Sequence, residues 1–210
     1  MDTPLEIYLG EIIEASSTTF TARCRELNAP PAFGSFVRVG EGIELPDDPF
    51  EKPGFADGAI YAVVTHAQTA GIDSNRKAVA YGKNMEELRR EQPQIFELLA
   101  TDFSCLTLGH SDKGVIRNWL PPYPPVIHSR VFSCTSEEIC GLTDKLDYMR
   151  TILNNPGLVT SEELLAAVLR LTVQSHAKDP EYVVRAGKQL AMLLWDDYDR
   201  LHTILCKQLS

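Results

Sequence analysis

The stretch LPPYPPVIHS, residues 120–129, separates two parts of the chain that differ in hydrophobic pattern. Proline lacks a backbone N–H, so four prolines in this stretch exclude a central strand or a helix interior. We predict a stiff extended connector, with Trp119 and Tyr123 packing it onto the N-terminal part. The PxxP spacing is also that of a polyproline ligand, but such ligands usually lie in disordered tails.

Residues 1–82, before the connector, contain short β-type segments separated by turn residues. In TFTARC, 19–24, apolar and polar residues alternate, and FVRV, 36–39, places Phe36 and Arg38 on the face opposite Val37 and Val39. The run AIYAVV, 59–64, is typical of a strand that is covered on both sides. Several short strands with frequent turns predict an antiparallel β-barrel.

A helical segment at about 84–102 interrupts these strands. Asn84 and Glu87 have the spacing of a capping box, and Pro93 suits the first turn of a second short helix. The pattern of a strand then returns, with a hairpin turn at 111–114 in which Gly114 takes the left-handed conformation.

Beyond residue 135 the apolar residues recur with the period of a helix. The first predicted helix starts at a capping box of Thr135 and Glu138, the second follows Thr160, and the third starts at Asp179-Pro180. The fold class is therefore α+β: a small N-terminal antiparallel barrel with a helical insertion over residues 1–130, followed by a three-helix domain over 131–210.

Charge and composition limit the function classes. The net charge is −6 over residues 1–130 (12 basic, 18 acidic) and −3 over 131–210 (8 basic, 11 acidic), so neither part has the cationic excess that favours nucleic acid. No apolar run reaches the length of a membrane span, and the acidic first residues are unlike a secretory signal, so we expect a cytoplasmic protein. The five cysteines, which show no CxxC spacing, fit a reducing compartment.

Three segments of the N-terminal part carry a resemblance. LGEIIEASSTTFTARC, PPAFGSFVRV and IYAVVTHAQ, in this order, resemble the HAS barrel, which is the N-terminal barrel of HerA-type ATPases and of ATP synthase subunits. The resemblance covers about residues 5–82 and is greatest to stand-alone cyanobacterial HAS-barrel proteins of unknown function. It implies assembly or recruitment, beside an ATPase or a nuclease. At the matching positions, Gly10 and Gly34 are expected to permit a positive φ or a close backbone approach.

The motor that follows the barrel in those ATPases has no counterpart here. Its GxxxxGK[ST] loop holds phosphates with backbone N–H groups and a lysine. RAGKQLA, 185–191, has Gly187 and Lys188, but it lacks the first glycine and the Ser or Thr and lies in a predicted helix. The ATPase activity of the family is therefore not transferred to this chain, and no cofactor is implied.

Other motifs give no catalytic or metal site. The histidine and cysteine spacings match neither a zinc finger nor HExxH, and there is no GxSxG. His66, in an apolar run, is expected to be a hydrogen-bonded core residue. The candidate residues are instead the aromatic side chains that suit a contact surface, which are Trp119, Tyr123, Trp195 and Tyr198.

Three functions follow from these observations. The first is a non-catalytic protein-interaction or assembly module with a protein partner and possible homo-oligomers. The second is single-stranded nucleic-acid binding, with Phe33, Phe36 or Tyr61 as stacking platforms. The third is an enzyme or ligand-binding protein with a site between the two halves, around His110, Trp119 and His128.

Overall fold

The β-type segments of the sequence form an antiparallel seven-stranded sheet. The computed structural model describes residues 8–40, 43–44, 54–73, 79–155, 157 and 161–209. Among them the sheet strands are β1 (Tyr8–Ala15), β2 (Thr19–Cys24), β3 (Phe36–Val39), β6 (Ile60–Gly71), β7 (Leu99–Asp112), β8 (Val115–Arg117) and β9 (Arg130–Ser133). A separate pair consists of β4 (Ile43–Glu44) and β5 (Gly54–Phe55).

Six strands of the sheet form a closed circuit of pairings. The order is β2-β1-β9-β3-β6-β7-β8, and β2 also pairs with β7 from Thr19 to Arg23. We call these six strands, without β8, the strand ring. The alternation predicted for FVRV is confirmed, because Val37 and Val39 enter one apolar core and Phe36 enters another.

The two cores lie on opposite faces of the sheet. The first consists mainly of small and β-branched residues of the ring, with Phe20 and Phe103 as its aromatic members. The second joins Tyr61, Leu106 and other residues of the opposite face to the C-terminal helices. β6 contributes to both cores, and Ile60 to Val64 are all buried, as the apolar run predicts.

The helical insertion contains α1 (Met85–Glu91) and α2 (Gln94–Glu97). The predicted capping box is present, since the Asn84 side chain accepts from the Glu87 N–H and the Glu87 carboxylate accepts from the Asn84 N–H. Strand β7 begins at Leu99, three residues before the predicted end of the insertion.

The C-terminal part contains α3 (Ser136–Thr143), α4 (Asp147–Leu153), α5 (Ser161–Ser175), α6 (Pro180–Leu193) and α7 (Tyr198–Leu209). Two of the three predicted helices are thus interrupted. The first breaks at Leu146, which has φ of 62°, and the third breaks before Asp197, whose side chain caps α7 by accepting from the Arg200 N–H. Buried Leu142, Leu146 and Met149 still place one apolar stripe against the core.

The proline stretch is followed by a further strand. β9 lies between β1 and β3, pairing Val131 with both Gly10 and Val39. Three of the four residues of β9 therefore lie beyond position 130, where the sequence places the helical domain, and yet belong to the ring. The stretch itself has no helix or strand and leads the chain from β8 to this inner position.

Close approaches explain two glycines. A Cβ on Gly10 would lie 2.2 Å from the Arg23 carbonyl oxygen on the paired strand. Gly34 has φ of 81°, and its Cβ would lie 2.7 Å from the Ala167 Cβ on α5. Both expectations for these residues are met, and Gly34 allows the ring to contact the helices.

Candidate interaction surface

The end of α6, the start of α7 and the turn between them expose three large side chains. Met192, Trp195 and Tyr198 are 71%, 82% and 72% exposed. We call these three residues the aromatic corner. A tryptophan exposed to this degree does not contribute to the core, so its apolar area is available for a contact.

The backbone beneath the aromatic corner is anchored. Leu194, between the exposed residues, is buried, and the Asp197 cap fixes the start of α7. Arg200 Nε donates to Glu162 Oε1 at 2.5 Å and so joins α7 to α5. Burial raises the pKa of Glu162, but hydrogen bonds from its own backbone N–H and from Arg200 outweigh burial and lower the pKa overall.

Charged groups border the aromatic corner. Asp196 and Asp199 are exposed, whereas Asp197 is engaged in the cap. A shallow depression of about 510 Å³ beside Trp195 also contains Arg150 and Arg200. The surface thus combines exposed aromatic area with charges of both signs at its edge, as in the polar rim of an interface.

Trp119 and Tyr123 are a second pair of exposed aromatic residues, at the proline stretch. They are 58% and 79% exposed, so they do not pack the proline stretch onto the ring as buried anchors, although Trp119 still contacts the ring. Trp119 contacts His110 edge-on, with ring centroids 6.2 Å apart, and Arg117 lies over its ring at 5.5 Å. These contacts orient the indole but leave most of it accessible.

All four candidate residues are therefore exposed, but they belong to two separate patches. Trp119 directly precedes the proline stretch and Tyr123 lies within it, whereas Trp195 and Tyr198 lie near the start of α7. Among the contacts of the described residues, none joins one pair to the other.

The site that the sequence suggests around His110 and His128 is divided in the structure. His110 lines a cleft of about 400 Å³ beneath the proline stretch, together with Asp57 and Asp112. Its Nδ1 lies 3.1 Å from the Trp119 carbonyl oxygen. His128 Nδ1 instead lies 2.5 Å from Glu11 Oε1. The two histidines therefore do not form one catalytic group.

Two of the three proposed nucleic-acid platforms are buried. Phe36 is 3% exposed and Tyr61 is fully buried, and only Phe33, at 43%, could stack on a base. His66 is exposed, in contrast to the core position expected from the apolar run around it, because β6 leaves the core after Val64.

Sequence reasoning missed a buried ion pair between the ring and the helices. Arg38 on β3 and Glu138 on α3 are both fully buried, and Arg38 Nη1 donates to the two Glu138 oxygens at 2.9 and 3.1 Å. The Thr135 N–H and the Tyr61 hydroxyl also donate to Glu138, at 2.8 and 3.4 Å. Glu138 therefore closes the predicted capping box and anchors α3 to the sheet.

An apolar cavity of about 660 Å³ lies between the β6–β7 hairpin and the helical insertion. Exposed Ile72, Tyr81 and Met85 contribute to its wall. Apart from Asn28, the lining residues lie between Gly71 and Leu99, from the end of β6 through the insertion to the start of β7.

The buried cysteines are unsuited to nucleophilic chemistry. Burial, with a contribution from Asp102, raises the pKa of Cys24 to about 11, and burial raises the pKa of Cys105 well above its ordinary value. Within the described ranges, no group of three or more His, Cys, Asp or Glu residues is placed to hold a metal ion. Gly187 and Lys188 lie inside α6, as predicted.

Comparisons with known proteins identify no family for this chain. No protein-family model matches the chain, and no curated protein does. Among the helices described, none has the length and apolarity required to cross a bilayer.

Proposed function

We propose that the chain is a non-catalytic protein-interaction or assembly module that binds a protein partner through the aromatic corner. The observation that carries this proposal is the exposure of Met192, Trp195 and Tyr198 on an anchored helix turn. Tryptophan and tyrosine are enriched at binding hot spots, and a rigid turn lowers the entropy that their ordering would cost.

The strand ring is, in this proposal, a barrel of the HAS type that serves as scaffold. The closed circuit of six strands supports this assignment, as do the glycines at the positions of the resemblance. The HAS resemblance suggests a partner among DNA-processing ATPases or nucleases. The ion pair of Arg38 and Glu138 anchors α3 to this scaffold, and α5 packs against both α3 and α7, which carries part of the aromatic corner.

A comparison of surface variants in a pull-down tests the proposal. The full chain is immobilised and incubated with lysate of its source cells, beside W195A/Y198A and the matched control W119A/Y123A. Loss of a hot-spot residue typically costs at least about 2 kcal/mol, or roughly 30-fold in affinity. We expect a specific protein that binds the wild type and the control and is depleted with W195A/Y198A.

A stability measurement separates a lost contact from a lost fold. Thermal unfolding of W195A/Y198A should match that of the wild type, because neither side chain is buried. Retention of every specific protein by W195A/Y198A would reject the aromatic corner as the site. A wild-type chain that captures no specific protein would reject the proposed function.

A further inference from the structure

Strand β6 extends well beyond the strand that pairs with it on one side. β3 pairs with Ile60 to Val63, and Val64 exchanges backbone hydrogen bonds with Gly34 and Ser35. The remainder, from His66 to Gly71, pairs with β7 on the other side. No described strand lies along its outer side, which we call the β6 edge.

The hydrogen-bond phase identifies the backbone groups that point outward from the β6 edge. The Ile72 N–H donates to the Leu98 carbonyl at 2.9 Å. In an antiparallel ladder, hydrogen-bonded pairs alternate with non-bonded pairs, so the residues at positions 66, 68 and 70 bond to β7. The N–H and C=O groups of Ala67, Thr69 and Gly71 therefore point away from β7.

Contacts on the far side of β7 agree with this phase. The Thr107 N–H donates to the Thr18 carbonyl, so odd-numbered residues of β7 bond towards β2. The even-numbered residues then bond towards β6, and Ser104 and Asp102 are the register partners of His66 and Gln68.

The β6 edge lacks the features that normally prevent edge pairing. Lysine, proline and other charged residues commonly protect exposed edges. The segment THAQTAG, 65–71, contains no proline, Lys, Arg, Asp or Glu, and His66 to Ala70 are all exposed. Such a strand is a template for the addition of another strand.

We propose that a second copy of this chain pairs with the β6 edge, giving a two-fold symmetric dimer. Antiparallel pairing is self-complementary about a two-fold axis, and an axis at Thr69 places Thr69 opposite Thr69 and Ala67 opposite Gly71. The outward groups of the two copies then form about six backbone hydrogen bonds.

Charge favours this edge as the place where two copies meet. Each chain carries a net charge of −9, so most contacts between copies bring acidic groups together. Seven residues without formal charge at neutral pH avoid this repulsion locally. A single strand pair is smaller than a standard protein–protein interface, so the dimer is expected to depend on concentration.

Amide hydrogen exchange of the purified full chain, measured by NMR, tests the pairing residue by residue. At about 10 µM, where the monomer is expected, the amides of Ala67, Thr69 and Gly71 should exchange rapidly. At about 1 mM the same three should slow by at least about tenfold, while those at 66, 68 and 70 are protected at both concentrations. Sedimentation velocity should show the dimer over the same range.

A matched pair of variants at the two-fold axis distinguishes edge pairing from other contacts. T69K places two lysines directly opposite each other, whereas T69V is neutral, and both lose the bond of Thr69 Oγ1 to Thr101 Oγ1. We expect T69V to dimerise and T69K to remain monomeric. Exchange at 67, 69 and 71 that does not change with concentration, or a T69K dimer like that of the wild type, overturns the proposal.

Discussion

The buried ion pair of Arg38 and Glu138 makes the sharpest stability prediction. The substitution R38M removes the guanidinium but keeps a side chain of similar length. Glu138 is then left fully buried, with the Thr135 N–H and the Tyr61 hydroxyl as its described donors. Breaking a buried pair by removing one partner typically costs about 3–5 kcal/mol. We expect a decrease of this size in the free energy of unfolding, measured by urea denaturation followed by circular dichroism.

A double-mutant cycle separates the pair from the packing of each side chain. E138Q keeps an amide oxygen that can accept from the Thr135 N–H, while R38M/E138Q leaves neither charge buried. The double variant should lose less stability than the sum of the single variants, by about 2 kcal/mol. The exposed pair of Lys83 and Glu91 is the control, and K83M should change stability by about 0–1 kcal/mol.

The cycle also defines what would refute the reasoning. A loss below about 1 kcal/mol for R38M would mean that water or another group satisfies Glu138 in the folded variant. Additivity of the two substitutions would mean that the charges do not interact across the interface between ring and helices. Either result would remove the ion pair as the anchor of α3.

Three further predictions concern single residues. G34A combines a positive φ with a clash against α5 and should cost more stability than G58A. Gly58 has φ of 77°, but a Cβ there would have no neighbouring atom within 4 Å. Unfolding curves of the two variants compare the losses directly. Burial lowers the pKa of His176 despite the carboxylates nearby. The unfolded chain therefore binds more protons than the folded one below about pH 6.5. In urea titrations, the stability advantage of the wild type over H176Q should shrink between about pH 7 and about pH 5. Exposed Cys206 should react with a thiol reagent in the folded protein well before Cys105, and equal rates would contradict the burial of Cys105.

Local signals in the sequence predicted much of the secondary structure. Capping boxes marked the starts of α1 and α3, and the hairpin turn at Gly114 is present with φ of 73°. These features depend on residues three or four positions apart, which a sequence displays directly. The breaks at Leu146 and before Asp197 are less visible, because the apolar stripe continues across both.

Pairings between distant residues could not be read in the same way. Arg38 alternates with valines as an exposed strand residue would, and its partner is 100 positions away. The exposure of Trp195 and Tyr198 depends equally on packing, since the same letters fit a helix with one aromatic turned inward. The β6 edge arises because β3 is eight residues shorter than β6. Strand length is set by pairing rather than by composition.

The position of β9 has a consequence for synthesis of the protein. The ribosome produces the chain from the N-terminus, and the strand that completes the ring between β1 and β3 spans residues 130–133. During translation of the first 130 residues, the edges of β1 and β3 that will bind β9 have no partner, and such edges are prone to aggregate. A nascent chain stalled before this point should therefore associate with chaperones, and should lose that association once β9 has left the exit tunnel.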